Sequence, residues 1–127
     1  MALDVLIVDD SSVTRKVIAR ALKFSGLEIA TIHEASDGQD AYELVEHTPV
    51  DLALVDINMP RMNGEELVSR WRAVPATASL PVVVVSTEGS ETRIARLRSM
   101  GVAFLHKPFG PAELCETVTG LLEAQSA

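Results

Sequence analysis

Val5-Leu6-Ile7-Val8 runs straight into Asp9-Asp10-Ser11-Ser12, and then Val13, Val17, Ile18, Ala21 and Leu22 recur at helical spacing. An unbroken apolar run suits a strand covered on both faces, because each of its alternating sides then meets an apolar neighbour. The polar quartet ends that strand, and Ser11 or Ser12 can cap the following helix by accepting a backbone N–H. The segment reads as one βα unit, and the pattern recurs along the chain. Ile29-Ala30-Thr31-Ile32, Leu52-Ala53-Leu54-Val55, Val82-Val83-Val84-Val85 and Ala103-Phe104-Leu105 read as further strands. Between and after them lie helical stripes: Ala41, Leu44 and Val45; Leu67, Val68 and Trp71; Ile94, Leu97 and Met100; Leu114, Val118, Leu121 and Leu122. Asp37 is placed to cap the second helix, Pro111 to open the fifth, and Gly26 and Gly101 to end the first and fourth. Five successive βα units predict an α/β doubly wound parallel sheet, with right-handed crossovers and helices on both faces.

The composition bounds the function. At roughly 100–200 residues per domain, 127 residues predict one domain. With 47% hydrophobic residues the chain can form a core without staples, and its one cysteine, Cys115, cannot make an internal disulfide. A net charge of −7 argues against direct DNA binding, because a phosphate backbone is attracted to basic surfaces. No apolar run is longer than Val82–Val85, and Met1-Ala2-Leu3-Asp4 lacks the basic start of a signal peptide, so a cytoplasmic protein without membrane insertion is expected.

In doubly wound sheets, ligands sit outside the carboxyl ends of the strands, where the strand order reverses. Asp9 and Asp10 follow the first strand, Asp56 the third, Ser86 and Thr87 the fourth, and His106, Lys107 and Pro108 the fifth. Three converging carboxylates repel one another and need countercharge. Lys107 is one source of it. The other is a hard divalent cation, Mg²⁺ or Mn²⁺, suited to an oxygen-only set. Cation, lysine and hydroxyl around a further carboxylate suit phosphoryl transfer, with Asp56 the candidate nucleophile because Asp9 and Asp10 come as a pair fitted to hold metal. Alternation along the fifth strand directs His106 away from Lys107. Met59 and Met62 read as loop packing, Trp71 as core, and Asp37-Gly38 as a helix-start turn.

The residues Val8-Asp9-Asp10-Ser11, Val55-Asp56-Ile57-Asn58-Met59-Pro60-Arg61-Met62-Asn63-Gly64, Val85-Ser86-Thr87-Glu88 and Lys107-Pro108-Phe109 together resemble the receiver domain of two-component response regulators, closest to the stand-alone chemotaxis type. The resemblance runs from about Leu3 to Leu122. It implies a flavodoxin-like three-layer sandwich of five strands in the order 2-1-3-4-5 with five helices. Residues 1–127 are then expected to be a single receiver domain with no output domain. It implies that Asp56 accepts a phosphoryl group from a phosphohistidine on a sensor histidine kinase or phosphotransfer protein. Asp10, Asp56 and the Asn58 carbonyl would hold Mg²⁺ (or Mn²⁺), Asp9 a metal-bound water, and Lys107 the phosphoryl oxygens across a cis Lys107-Pro108 bond. Ser86 and Phe104 would be the switch residues. Phe104 lacks the hydroxyl that many members carry there. Asn58 and Glu88 occupy the positions that set phosphoryl lifetime. Output would pass to a downstream protein through the fourth helix, fifth strand and fifth helix, where Arg93, Arg96 and Arg98 suggest a positive stripe facing an acidic partner. A monomer is expected, with a weak dimer as the variant.

By this reading the chain is a phosphorylation-switched signalling module, not an enzyme beyond its own phosphorylation and dephosphorylation. The alternative is a degenerate receiver acting as a phosphorylation-independent interaction module. An electron carrier of flavodoxin type would need a hydroxyl- and glycine-rich phosphate loop where Asp9 and Asp10 stand. A haloacid-dehalogenase-type phosphatase would need Asp-x-Asp-x-Thr after the first strand. A P-loop enzyme would need a glycine-rich Lys-Ser/Thr motif, and the sequence has none.

Overall fold

A computed structural model describes residues 2–87 and 89–126. Ten elements alternate along the chain: β1 (Leu3–Val8), α1 (Ser12–Phe24), β2 (Ile29–Ala35), α2 (Gly38–His47), β3 (Leu52–Val55), α3 (Gly64–Ala73), β4 (Val82–Ser86), α4 (Glu91–Arg98), β5 (Ala103–His106) and α5 (Pro111–Ser126). The strands are parallel and ordered β2-β1-β3-β4-β5. The chain steps from β1 outward to β2, then returns past β1 to β3. The strand order therefore reverses between β1 and β3, and the crevice at their carboxyl ends is where such a sheet receives a ligand.

Strict alternation of side chains builds three layers. Leu6, Val8, Ala53, Val55, Val82 and Val84 point to one face and pack with Leu67, Val68 and Trp71 of α3 and Leu97 of α4. Val5, Ile7, Leu52, Leu54, Val83 and Val85 point to the other, against Ile18 and Leu22 of α1 and Leu114 and Val118 of α5. This is why the central runs are continuously apolar. β2, at the edge, is instead half exposed, and it extends through His33-Glu34-Ala35 beyond its apolar start.

Caps terminate the pieces as expected: Ser11 accepts from the Thr14 N–H, and Asp37 from the Asp40 N–H. Gly26 and Gly101 take positive φ just past α1 and α4, a conformation glycine adopts without steric cost.

The apolar residues of α1 divide between two faces. Its stripe is not a single core face. Ile18, Ala21 and Leu22 are buried, whereas Val13, Val17 and Phe24 are exposed. At about 100° per residue, Val17 lies roughly 100° around the helix from Ile18, and Val13 and Phe24 fall on Val17's side. The sequence stripe merges a core face with a neighbouring exposed apolar one.

Close backbone approach explains Gly64. A Cβ there would lie 2.3 Å from the Asp56 carbonyl oxygen, whereas one at Gly120 on α5 would meet nothing within 4 Å. Gly64→Ala is expected to lower stability by roughly 2 kcal/mol or more, and Gly120→Ala to raise it by about 0.5–1 kcal/mol, both read from urea unfolding midpoints.

Candidate functional site

Hydrogen bonds that continue the sheet one residue past the strands place the site. The Asp9 N–H donates to the Ala35 carbonyl (3.1 Å), the Asp56 N–H to the Val8 carbonyl (2.9 Å) and the Lys107 N–H to the Ser86 carbonyl (2.9 Å). Backbones held on this ladder bring Asp9, Asp10 and Asp56 together, each offering a carboxylate oxygen within 4.8 Å of the others. Lys107 reaches in from β5, its Nζ 3.3 Å from Asp9 Oδ2 and 3.7 Å from Asp56 Oδ1. Asp9 is buried, Asp56 nearly so and Asp10 exposed, giving the cluster a dry floor and a wet mouth.

The electrostatics follow. Burial, the largest influence, pushes the Asp56 carboxyl above the usual carboxylate range; Lys107 opposes it, and Asp9 and Asp10 add to it. The Asp56 Oδ1 accepts from the Ile57 N–H (2.9 Å), and Asp9 Oδ1 from the Ser11 N–H (2.9 Å), which orients both side chains. The oxygen-only donor set fits a hard divalent cation.

Of the other expected residues, Asn58 and Ser86 follow or end neighbouring strands of this edge, and others lie in the core. Asn58 is exposed in the loop after Asp56, and that loop is closed at its base by the Gly64 N–H donating to the Ile57 carbonyl (2.8 Å). Ser86 is buried at the end of β4. Phe104 is half-buried on the α3/α4 face of the sheet. Its ring lies 6.3 Å from that of His106, two residues on and on the same side, so Lys107 faces the opposite way, toward the acids. The Lys107-Pro108 bond is cis. Met62 and Trp71 are buried in the core. Glu88 lies outside the described residues.

The sequence reading missed two residues that hold this edge. Arg15, largely buried, donates from Nη1 to the Asp9 carbonyl (2.7 Å) and from Nε to Glu34 of β2 (2.8 Å), tethering the acidic loop to α1 and the sheet edge. Glu65, first after the Gly64 contact, faces α4: its Oε1 is 2.6 Å from Arg96 Nε and its Oε2 3.6 Å from Arg93 Nε. The expected positive stripe on α4 is therefore partly neutralised within the chain. Both missed contacts span elements far apart in sequence, and no local pattern announces them.

The chain can now be set beside known proteins. The family model "Response regulator receiver domain" matches residues 5–119. The chain is 35% identical over 119 residues to a chemotaxis protein CheY homolog of Campylobacter jejuni, covering 92% of this chain and 90% of that one. It is 38% identical over 110 residues to a protein-glutamate methylesterase/protein-glutamine glutaminase of Methanococcus maripaludis, but spans only 30% of that protein. Among solved structures, chemotaxis protein CheY4 of Vibrio cholerae superposes with a TM-score of 0.82 at 30% identity, covering 95% of this chain and 99% of that one. A putative response regulator of Chloroflexus aurantiacus gives 0.86 at 27% identity, covering 97% and 99%.

The charge balance predicts opposite effects on stability when cations are removed by EDTA. Asp56→Asn removes a destabilised charge and should raise the unfolding free energy read from urea titration, by on the order of 1 kcal/mol. Lys107→Met leaves buried Asp9 without its cation and should lower it by roughly 1–3 kcal/mol.

Proposed function

The chain belongs to the response regulator receiver domain family, and from that premise we propose that it is a phosphorylation-switched signalling module of a two-component system with Asp56 as its phosphoryl acceptor. The observation that carries this reading is the gathering of Asp9, Asp10 and Asp56 within 4.8 Å of one another beside the Lys107 ammonium. Asp56 is the acceptor because it alone projects from the central β3, while Asp9 and Asp10 line the neighbouring strand end.

In the transfer, an Asp56 carboxylate oxygen attacks phosphorus on a partner's phosphohistidine. A P–O bond forms, the P–N bond breaks, and the imidazole leaves with the electron pair and takes up a proton. Lys107 faces the incoming equatorial oxygens and offsets their charge. Asp10, Asp56 and the Asn58 carbonyl would hold Mg²⁺, with Asp9 orienting a coordinated water. When bound, Mg²⁺ neutralises phosphoryl charge that the three carboxylates would otherwise repel. Ser86 ends the strand next to β3 and would supply a hydroxyl to the phosphorylated side chain. Phe104, on the far face of β5, would carry the change to α4, β5 and α5 as a shift between two conformers.

Residues 1–127 are read as one receiver unit, and its output as a contact with a downstream protein rather than with DNA, in keeping with the charge of −7. Exposed Val17, which shares its side of α1 with Val13, lines a groove of about 380 Å³ with Thr87, Lys107 and Phe109, and this would be the face offered to the phosphodonor protein. Among the described residues, no helix is long and apolar enough to cross a membrane.

Incubation with acetyl phosphate and Mg²⁺ should add one phosphoryl group to the intact mass, and Asp56→Asn or EDTA should abolish the gain. If the Asp56→Asn protein were labelled equally, the acceptor assignment would be wrong. If acetyl phosphate, phosphoramidate and carbamoyl phosphate all failed to label the wild type, the chain would fall instead to the phosphorylation-independent class.

A further inference from the structure

Arg61 has a backbone that costs energy and a side chain that explains why the cost is tolerated. It sits in the loop between β3 and α3 at φ 63°, the left-handed region that a residue with a Cβ enters at a steric penalty. From there its guanidinium forks onto Asp37 at the start of α2, with Nε 2.8 Å from Oδ2 and Nη2 3.1 Å from Oδ1. The same Nη2 lies 2.7 Å from Asp40 Oδ1. Two parallel N–H···O bonds to one carboxylate fix direction as well as distance. Asp37 is buried and already anchored by accepting the Asp40 N–H (2.8 Å), so the fork ends on a rigid post.

The backbone beside it is pinned to the same post. The Gly38 N–H donates to the Met62 carbonyl (3.0 Å), and a Cβ on Gly38 would lie 2.2 Å from that oxygen, so only glycine lets the loop come this close. The loop that begins at Asp56 is thus closed at its base by Gly64 and Ile57 and clamped at its tip by Arg61 and Met62. Asn58 lies between the two fastenings. A backbone carbonyl can serve as a cation ligand only if its peptide plane is held still, and no side-chain rotamer can correct it.

We propose that Arg61 is a positioning residue for the cation site: its grip on Asp37 and Asp40 holds the loop so that the Asn58 carbonyl stays aimed at the carboxylates. This rests on the reading of Asp9, Asp10, Asp56 and that carbonyl as a Mg²⁺ site. The proposal has a sign that simple electrostatics lacks. Removing a cationic side chain near a cation site strengthens cation binding if only the field matters. Removing a positioning residue weakens it.

The test compares wild type, Arg61→Ala and Arg61→Gly by calorimetric titration with MgCl₂, with urea unfolding in EDTA and hydrogen exchange of residues 57–63 alongside. Both variants should bind Mg²⁺ about 3–10-fold more weakly and exchange the loop amides faster. Arg61→Gly should be the more stable of the two, since glycine carries no penalty at positive φ, yet bind no better. Affinity and stability would then come apart, as a merely structural role does not allow. Mg²⁺ binding by Arg61→Gly equal to or tighter than wild type would overturn the role while leaving the site intact. A wild type that takes up no Mg²⁺ would overturn the site itself, and the role with it.

Discussion

Mutual repulsion among Asp9, Asp10 and Asp56 is the constraint around which the carboxyl edge of this sheet is organised. Nothing in a hydrophobic core favours three carboxylates within 4.8 Å of one another. They stay together because Asp9 and Asp56 are fastened by backbone hydrogen bonds that continue the parallel ladder past the strand ends, and Asp10 follows Asp9 directly. The energy comes from elsewhere, from the continuously apolar strands packed between two helical layers. Lys107 meets part of the cost, but at 3.3 and 3.7 Å it leans toward Asp9 and leaves Asp56 above its ordinary pKa. The site is left short of positive charge, which is the condition under which binding a hard cation is favourable. The proposed phosphoryl transfer would draw on that cation and on Lys107 together.

Holding repelling groups in place requires stiff connections, and the loops around the site are tied more tightly than surface loops need be. The acidic loop after β1 is gripped by Arg15, which reaches back to the Asp9 carbonyl while paired with Glu34. The loop after Asp56 is gripped at its base by Gly64 and at its tip by Arg61. Two glycines, 38 and 64, are there because a carbonyl occupies the space a side chain would take. Each arginine restrains the main chain and leaves the carboxylates facing the site free of itself, so the restraint does not consume the charge deficit that the chemistry needs.

Much of this was legible in the sequence, and the parts that were not share a cause. All five strand cores, the Asp37 cap, and the convergence of Asp9, Asp10, Asp56 and Lys107 follow from local patterns and from one topological rule. The α1 stripe marked a helix without saying which of Val13, Val17 and Ile18 is buried, because all three are apolar and periodicity alone cannot divide a core face from an apolar face left exposed beside it. The pairs Arg15–Glu34, Arg61–Asp37 and Glu65–Arg96 were illegible for a different reason: each joins two βα units, and long charged side chains carry no periodic signature. Asp37 shows the limit well. Its capping role could be read from Asp-Gly ahead of a helical stripe, but its second role, as the post for Arg61, depends on the packing of α2 beside the loop after β3.

The same distinction bears on how a change at Asp56 can travel. Glu65 follows Gly64 directly, and Gly64 lies against the Asp56 carbonyl, so the start of α3 cannot move independently of the acceptor loop. Glu65 in turn faces Arg93 and Arg96, while α4 itself buries only Leu97. An exposed pair of this kind is worth at most about 1 kcal/mol, little beside the packing of α3 or α5. That weakness would suit the contact to the switch proposed for this chain. A link of this size can be broken and remade by a modest difference in contact energy between two conformers, whereas a fully packed helix could not respond to it. The rigid fastenings lie at the carboxylates, and the weaker one lies at α4, where the proposed switch would need movement.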